Sequence, residues 1–124
     1  MKFYPCDHCG NQAVKLLDSG VPLVCCGQPM RELEAGVTDA SAEKHVPVVY
    51  RSETAAHVQV GRDAHPMKPE HRIDWIVLET DGGAHVRFLS PGDSPCAVFP
   101  LDEGEIISDV YASCNLHGLW KAGF

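Results

Sequence analysis

The stretch Ile73-Asp74-Trp75-Ile76-Val77-Leu78-Glu79 decides the fold, together with the turn residues Asp81-Gly82-Gly83 and the candidate strand His85–Leu89 that follow it. β-Branched and aromatic residues dominate the first stretch, and polar residues interrupt it near both ends. Two such segments around a glycine-rich turn are typical of an antiparallel hairpin. The sequence therefore predicts strands in the middle of this chain.

The strand pattern extends outward in both directions from this hairpin. Alternation recurs in Ala56-His57-Val58-Gln59-Val60, and no window shows a convincing helical period. Strong breakers, Pro91-Gly92-Asp93-Ser94-Pro95 and Asp102-Glu103-Gly104, separate the later segments. The remaining strand candidates are Pro47–Arg51, Cys96–Phe99, Glu105–Ala112 and Leu119–Phe124. About seven short strands at this spacing predict an all-β fold, with residues 37–124 forming an antiparallel β-sandwich.

Residues 1–36 have a different character, because turn residues and cysteines interrupt two short apolar stretches. A piece this small cannot bury enough apolar surface to fold without a staple. A metal bound by its four cysteines would supply that staple. We therefore predict a small metal-bound domain over residues 1–36, followed by the sandwich.

Composition excludes several classes of protein. The 124 residues carry a net charge of −7 and a pI of about 5.3, whereas a nucleic-acid binder needs a basic face. No apolar run reaches the roughly 20 residues needed to span a bilayer, and the first residues lack the apolar stretch of a signal peptide. We expect a cytoplasmic protein, in which six cysteines indicate metal binding or catalysis rather than disulfides.

The first group of candidate ligands consists of Cys6-x-x-Cys9 and the adjacent pair Cys25-Cys26, with fifteen residues between them. Four thiolates around one ion give a tetrahedral site that suits zinc or iron, and the spacing alone leaves these two metals equally open. Neighbouring cysteines cannot form a second Cys-x-x-Cys turn, so we expect a distorted tetrahedron. Disulfides are a poorer alternative.

A second group of candidate ligands lies at the edges of the predicted strands, where the loops of a sandwich collect. Each histidine alone is more often an ordinary surface or core residue, but four with a cysteine make that interpretation weak. Four imidazoles and a thiolate exceed the usual zinc set and suit an iron that keeps one position open. The donors are His45, His65, His71, Cys114 and His117. We assign no role to His8, His57 and His85, and interpret Cys96 as a small apolar filler.

Five segments, found together and in this order, resemble desulfoferrodoxin and its relatives, the superoxide reductases. The resemblance covers essentially the whole chain and departs at no ligand position. The segments are Phe3-Tyr4-x-Cys6-x-x-Cys9-Gly10-Asn11, Cys25-Cys26-Gly27-Gln28-Pro29-Met30, Glu43-Lys44-His45-Val46-Pro47, His65-Pro66-Met67 with His71, and Cys114-Asn115-Leu116-His117-Gly118-Leu119-Trp120.

The resemblance implies two mononuclear irons per chain. Cys6, Cys9, Cys25 and Cys26 would bind a rubredoxin-like iron in a desulforedoxin-like domain. The four histidines named above would be equatorial ligands of a catalytic iron in an immunoglobulin-like sandwich, with Cys114 axial. The resemblance also implies a homodimer.

The implied reaction transfers one electron from ferrous iron to superoxide and, with two protons, gives hydrogen peroxide. Lys44 would guide the anion and take part in the proton network, and Glu43 would occupy the sixth position of the oxidised iron. Rubredoxin or another small carrier would be the external electron donor. Without the resemblance, Glu43 and Lys44 would be interpreted as a solvated surface turn.

Two other functions remain to be separated from this one. A non-enzymatic electron carrier or redox sensor would use the four-cysteine site and leave the histidine site unexplained. A superoxide dismutase would use the histidine site but recycle its metal with superoxide itself. The stoichiometry of peroxide and oxygen distinguishes all three.

Overall fold

The computed structural model describes all 124 residues, Met1–Phe124, and the chain divides into two compact units, Met1–Glu34 and Ala35–Phe124. Both units consist of antiparallel strands and turns, apart from one helical turn in the second. The predicted all-β fold is therefore confirmed. No helix in the structure has the length and apolar character needed to cross a bilayer.

The first unit is built from two short hairpins. Strand β1 (Phe3–Pro5) pairs with β2 (Gln12–Val14), and β3 (Val24–Cys25) pairs with β4 (Gln28–Pro29). Phe3 and Cys6 are the only buried residues in this unit. Two buried side chains contribute too little hydrophobic stabilisation to hold 34 residues together, so the unit needs a metal or another cross-link.

The second unit is a sandwich of two antiparallel sheets. One sheet has the strand order β11-β10-β7-β8, and the other has the order β5-β6-β9. Its elements are α1 (Ala42–His45), β5 (Pro47–Arg51), β6 (Ala55–Val60), β7 (Ile73–Thr80), β8 (Ala84–Phe88), β9 (Cys96–Pro100), β10 (Ile107–Cys114) and β11 (Gly118–Gly123). These seven strands correspond to the seven strand candidates of the sequence.

The core lies between the two sheets, where inward-facing aliphatic residues of each pack together. The three-stranded sheet contributes Val58 and Phe99, and the four-stranded sheet contributes Ile76, Leu78 and Val110, all nearly inaccessible to solvent. Alternate residues of these strands point inward, as a half-buried strand requires. The sandwich therefore folds around an apolar core, and Cys114 is the metal-binding candidate that belongs to it.

Strand register brings the candidate ligands to one end of the sandwich. Pro47, the first residue of β5, pairs with Val60, the last residue of β6. At the same end of the other sheet, Cys114 pairs with Ile73 and with Gly118. The loops that leave these positions carry the histidines.

Two local details differ from the prediction. The strand expected over Glu105–Ala112 runs from Ile107 to Cys114, so Cys114 is the last residue of a strand. The helical turn α1 was not predicted, because four residues are too few to show a period of 3.6. This turn carries Glu43, Lys44 and His45, and its geometry matters for the site.

Candidate metal centres

The four cysteines of the first unit lie together at the ends of its two hairpins. The Cys9 and Cys25 sulfurs are 3.6 Å apart, those of Cys25 and Cys26 are 4.0 Å apart, and all four lie within 4.8 Å of one another. A tetrahedral ion with metal–sulfur bonds of about 2.3 Å places its sulfurs about 3.8 Å apart. The sulfurs are therefore spaced as one four-coordinate ion requires.

An unusual backbone conformation lets adjacent cysteines face one centre. Consecutive side chains of a strand point to opposite faces, so Cys25 and Cys26 in extended chain would diverge. Cys26 instead has a φ of 51°, in the left-handed region, and Gly27 follows with a φ of 74°. Left-handed backbone is uncommon for a residue other than glycine and costs free energy. A ligand bond from Cys26 would offset that cost.

The thiols of this cluster have very different pKa values. Backbone N–H groups of Cys9 and His8 donate to the Cys6 sulfur and lower the pKa of Cys6 to about 6. Hydrogen bonds with Cys9 and Cys6 raise the pKa of Cys26 to about 12. Without a cation the Cys26 thiol therefore stays protonated near neutral pH. A metal ion would hold all four as thiolates.

In the second unit, four histidines converge although they come from four different places in the chain. His45 ends α1, His65 follows β6, His71 precedes β7, and His117 lies in the turn between β10 and β11. Main-chain bonds between Lys68 and His71 close a tight turn that folds His71 back toward His65. The Pro-rich segment between them thus brings the two rings together, with their centroids 4.6 Å apart.

The four rings are arranged as the corners of a square. Centroids of neighbouring rings are 4.6–5.1 Å apart in the order His45, His65, His71, His117, and the His45–His71 diagonal is 6.3 Å. Neighbouring rings are nearly perpendicular. Two of the nitrogen–nitrogen edges measure 3.1 and 3.2 Å. The centre of a square with such edges lies about 2.2 Å from each nitrogen, close to an imidazole–metal bond of about 2.0–2.1 Å.

Main-chain carbonyl oxygens determine which ring nitrogen carries the hydrogen in His45 and His65. His45 Nδ1 is 2.7 Å from the Ser41 carbonyl oxygen, and His65 Nδ1 is 2.7 Å from the Pro66 carbonyl oxygen. A carbonyl oxygen can only accept, so each Nδ1 carries the hydrogen and each Nε2 has a lone pair. These two Nε2 atoms face each other at 3.2 Å, where neutral rings have no hydrogen to share. Two converging lone pairs are the arrangement that a cation stabilises.

Burial favours the neutral form of His45, His65 and His71. Desolvation lowers the pKa of His65 to about 4 and also lowers the pKa values of His45 and His71. His71 Nε2 is buried and has no hydrogen-bond partner, which is costly unless a metal occupies its lone pair. Neutral imidazoles with free lone pairs are the form that binds metal.

Cys114 is the fifth candidate donor. Its sulfur lies within 4.8 Å of the ligand nitrogens of His45, His65 and His71, and 3.8 Å from His117 Nδ1. A donor this close to all four corners lies off the square, near its axis. Burial raises the pKa of the Cys114 thiol, so a metal must displace its proton on binding. Four imidazoles and one buried thiolate fit a five-coordinate iron with one further position.

Glu43 and Lys44 lie two residues and one residue before His45, respectively, on the helical turn α1, and both side chains are exposed. The Glu43 carboxylate accepts a hydrogen bond of 2.6 Å from the Ser41 hydroxyl, which is the main reason that the pKa of Glu43 is lowered. Burial is the main reason that the pKa values of His45 and His71 are lowered, and the neighbouring imidazoles add to it. The positive charge of Lys44 makes a further, smaller contribution. The Lys44 charge therefore acts on the histidine site.

Three further residues shape the histidine site and were given no role from sequence. Trp120 packs its ring 4.8 Å from that of His45 and donates its indole N–H to the His117 carbonyl oxygen. Asn115 accepts from the Arg72 N–H and donates to the Glu70 carbonyl oxygen. Ser41 contacts both His45 and Glu43. Trp120 and Asn115 belong to a segment that the sequence singled out, but no periodicity or spacing indicates such contacts.

The residues left without a role lie outside both clusters. His57 packs its ring against Tyr50, and the His85 ring lies near Phe99. His8 is an exposed residue of the turn that holds Cys6 and Cys9. Cys96 is half-buried at the start of β9, and all six cysteines are free of disulfides.

Comparison with known proteins gives matches along the whole chain. A family model described as "Desulfoferrodoxin" matches residues 37–123, and one described as "Desulfoferrodoxin, N-terminal domain" matches residues 1–33. The desulfoferrodoxin of Nitratidesulfovibrio vulgaris is 45% identical over 121 residues, which cover 98% of this chain and 94% of that protein.

Solved structures give the same picture. The crystal structure of the superoxide reductase from Treponema pallidum superposes with a TM-score of 0.82 and is 32% identical, covering 98% of this chain and 97% of that one. A one-iron superoxide reductase from Giardia intestinalis superposes with a TM-score of 0.56 and is 30% identical, covering 66% of this chain and 97% of that one.

Proposed function

Because the chain belongs to the desulfoferrodoxin family, we propose that it is a superoxide reductase, which reduces superoxide to hydrogen peroxide without releasing oxygen. The chain has two iron centres, one at the four cysteines and one at the histidine and cysteine cluster. The second centre would hold the ferrous iron from which superoxide takes one electron. The observation that carries this proposal is the square of imidazoles whose lone pairs converge beside a buried thiol.

We assign the ligands of the catalytic iron as the Nε2 atoms of His45, His65 and His71, the Nδ1 atom of His117 and the Cys114 sulfur. The assignment follows from which nitrogen of each ring faces the others or lies buried without a partner. A thiolate donates more electron density than an imidazole, so the Cys114 thiolate would make bound product more basic and favour its protonation.

Lys44 supplies the local attraction that an acidic protein needs in order to capture an anion. The chain carries a net charge of −7, which repels superoxide at long range. Lys44 is exposed, yet its charge acts on His45 and His71. A cation in this position draws the substrate to the iron and is a member of the proton network. Glu43, on the same helical turn, would bind the iron in its oxidised state.

The first unit serves electron transfer. Cys6, Cys9, Cys25 and Cys26 hold its iron, so the domain over residues 1–36 is the electron-transfer domain and the domain over residues 37–124 is catalytic. The reductant is rubredoxin or a similar small electron carrier. A purely non-enzymatic carrier would have no use for the second cluster, in which four imidazoles and a buried thiol converge on one centre.

The chain forms a homodimer and works in the cytoplasm. The homodimer follows from the family resemblance. The location is supported by six free cysteines, of which five are iron ligands in this proposal, because thiolate ligands persist where thiols are kept reduced. Sedimentation of the iron-loaded protein tests the first statement: a single species at twice the monomer mass of 13.5 kDa supports it.

The ligand assignment is tested by replacing His117 with alanine, with His57→Ala as the matched control. His57 is an exposed histidine of strand β6, outside both clusters. We expect His117→Ala to lose iron from the second centre or to change its X-ray absorption spectrum, while His57→Ala keeps both unchanged. An unchanged spectrum and full iron content in His117→Ala would remove His117 from the ligand set.

A further inference from the structure

Ser41 makes an uncommon use of its position at the start of a helix. It is the N-cap residue of α1, where a serine oxygen usually accepts a hydrogen bond from a backbone N–H of the first turn. Its side chain makes no such bond. The hydroxyl instead donates to Glu43 Oε2 at 2.6 Å. The side chain is thus committed to a carboxylate rather than to the helix.

The backbone around this pair is held by other contacts. The Asp63 N–H donates to the Glu43 carbonyl oxygen at 2.9 Å, and the Ser41 carbonyl oxygen accepts from His45 Nδ1 at 2.7 Å. Neither of these bonds uses the Ser41 hydroxyl. Removing the hydroxyl therefore removes the largest stabilising contact of the Glu43 carboxylate and leaves in place the bonds that hold the backbone and orient His45.

The Glu43 carboxylate has two competing places to bind. In the structure it is exposed and bonded to Ser41, and the nearby Arg62 charge adds to its stabilisation as an anion. In the proposed function it binds the oxidised iron. A hydrogen bond to a carboxylate lowers its donor strength, and leaving that bond costs free energy.

We propose that Ser41 is a positioning residue whose hydroxyl holds the Glu43 carboxylate away from the oxidised iron, so that Glu43 leaves the sixth position readily. This inference rests on the proposed role of Glu43. Ser41 would thus set how often Glu43 blocks the catalytic centre. Ser41 itself touches neither substrate nor iron.

The test measures how tightly cyanide, a small anion that competes with Glu43 for iron, binds the oxidised, iron-loaded full chain. The change of the visible absorption spectrum follows the titration, and iron analysis afterwards shows that the metal is retained. With Ser41→Ala we expect cyanide affinity to fall by about two- to twelvefold, the range that one net hydrogen bond contributes. Ser41→Thr keeps a hydroxyl and should restore wild-type affinity.

Two controls separate a positioning role from a general effect of the substitution. Ser52→Ala removes the hydroxyl of a half-buried turn residue outside both clusters, which donates to the Ala55 carbonyl oxygen, and should leave cyanide affinity unchanged. Glu43→Ala should strengthen cyanide binding, and adding Ser41→Ala to it should change nothing further. Ser41 then acts through Glu43 alone.

Other results overturn the inference. Unchanged or tighter cyanide binding by Ser41→Ala shows that its hydroxyl does not hold Glu43 away from the iron. A weakening that persists in the Glu43→Ala background shows that Ser41 acts by another route. If Glu43→Ala alone leaves cyanide affinity unchanged, the proposed role of Glu43 fails and this inference fails with it. Tighter binding by Glu43→Ala with no effect of Ser41→Ala overturns only the inference about Ser41.

Discussion

Acidification should destabilise the metal-free second unit through His65. Burial lowers the pKa of His65 from 6.5 to about 4 in the folded chain, and unfolding exposes the ring and restores the higher value. Between these two pH values the unfolded chain binds a proton that the folded chain does not. The free energy of unfolding therefore falls as the pH falls from about 6.5 to about 4. Below that window the ring is protonated in both states, so the loss of stability is complete and grows no further.

The size of the effect follows from the two pKa values. They differ by about 2.5 units, and each unit corresponds to about 1.4 kcal/mol, so His65 contributes a loss of about 3 kcal/mol across the window. His65 is only 2% exposed, so solvent screening gives little reason to reduce this figure. The lowered pKa values of His45 and His71 act in the same direction. Such a loss is a large share of the roughly 5–15 kcal/mol that stabilises a typical domain.

Urea unfolding of the metal-free full chain at several pH values measures this loss. Trp75 and Trp120 are the only tryptophans and both lie in the second unit, so their fluorescence reports on that unit. His65→Gln keeps a polar side chain that cannot titrate, and its stability should fall less steeply between pH 6.5 and 4. His57→Gln, at an exposed position, should keep the wild-type slope. Equal slopes for wild type and His65→Gln would refute the argument.

Three further predictions concern the two centres. Cys9→Ser should disturb the first iron but leave superoxide reduction by pre-reduced protein largely intact in stopped-flow kinetics, because the second unit has its own ligands. A large fall in the rate of superoxide reduction with the second iron still bound would contradict this. Cys114→Ser should retain iron through four histidines but lose most of its superoxide reactivity, since serine is not ionised at neutral pH; full turnover with iron bound would exclude Cys114 as a ligand. Lys44→Ala should slow superoxide capture in pulse radiolysis by roughly 3- to 100-fold, from about 0.7–2.8 kcal/mol of attraction at about 6 Å. Added salt should slow the wild type more than Lys44→Ala, and Glu43→Ala should not slow capture; a Lys44→Ala rate equal to wild type at low salt would contradict the guiding role.

The fold could be predicted because its signals are local. Several strands of the sandwich are short segments that glycine, proline or aspartate closes, and the turn over Asp81-Gly82-Gly83 after β7 is the clearest case. The predicted end of this strand was two residues short of Cys114, because the last residues of a strand are fixed by pairing with strands that are distant in the sequence. Pairing of Cys114 with Ile73 and Gly118 is a tertiary property that no local pattern contains.

The candidate ligands were all identifiable from residue type and clustering, but their geometry was not. Which nitrogen of each ring faces the others depends on main-chain acceptors such as the Ser41 and Pro66 carbonyl oxygens. The left-handed conformation of Cys26 likewise has no sequence signal, since non-glycine residues seldom adopt it. Ser41 and Trp120 were missed for the same reason: their contacts are made by atoms that the fold brings together.

The most direct test of the central claim is the product stoichiometry of the fully reduced, iron-loaded protein mixed with a measured amount of superoxide. Hydrogen peroxide and oxygen are determined in the same sample, with metal-free protein as the blank. A superoxide reductase yields one hydrogen peroxide for each superoxide consumed and no oxygen. Half as much peroxide together with oxygen would indicate a dismutase, and a blank-level yield would indicate that the chain only carries electrons; either result would contradict the account.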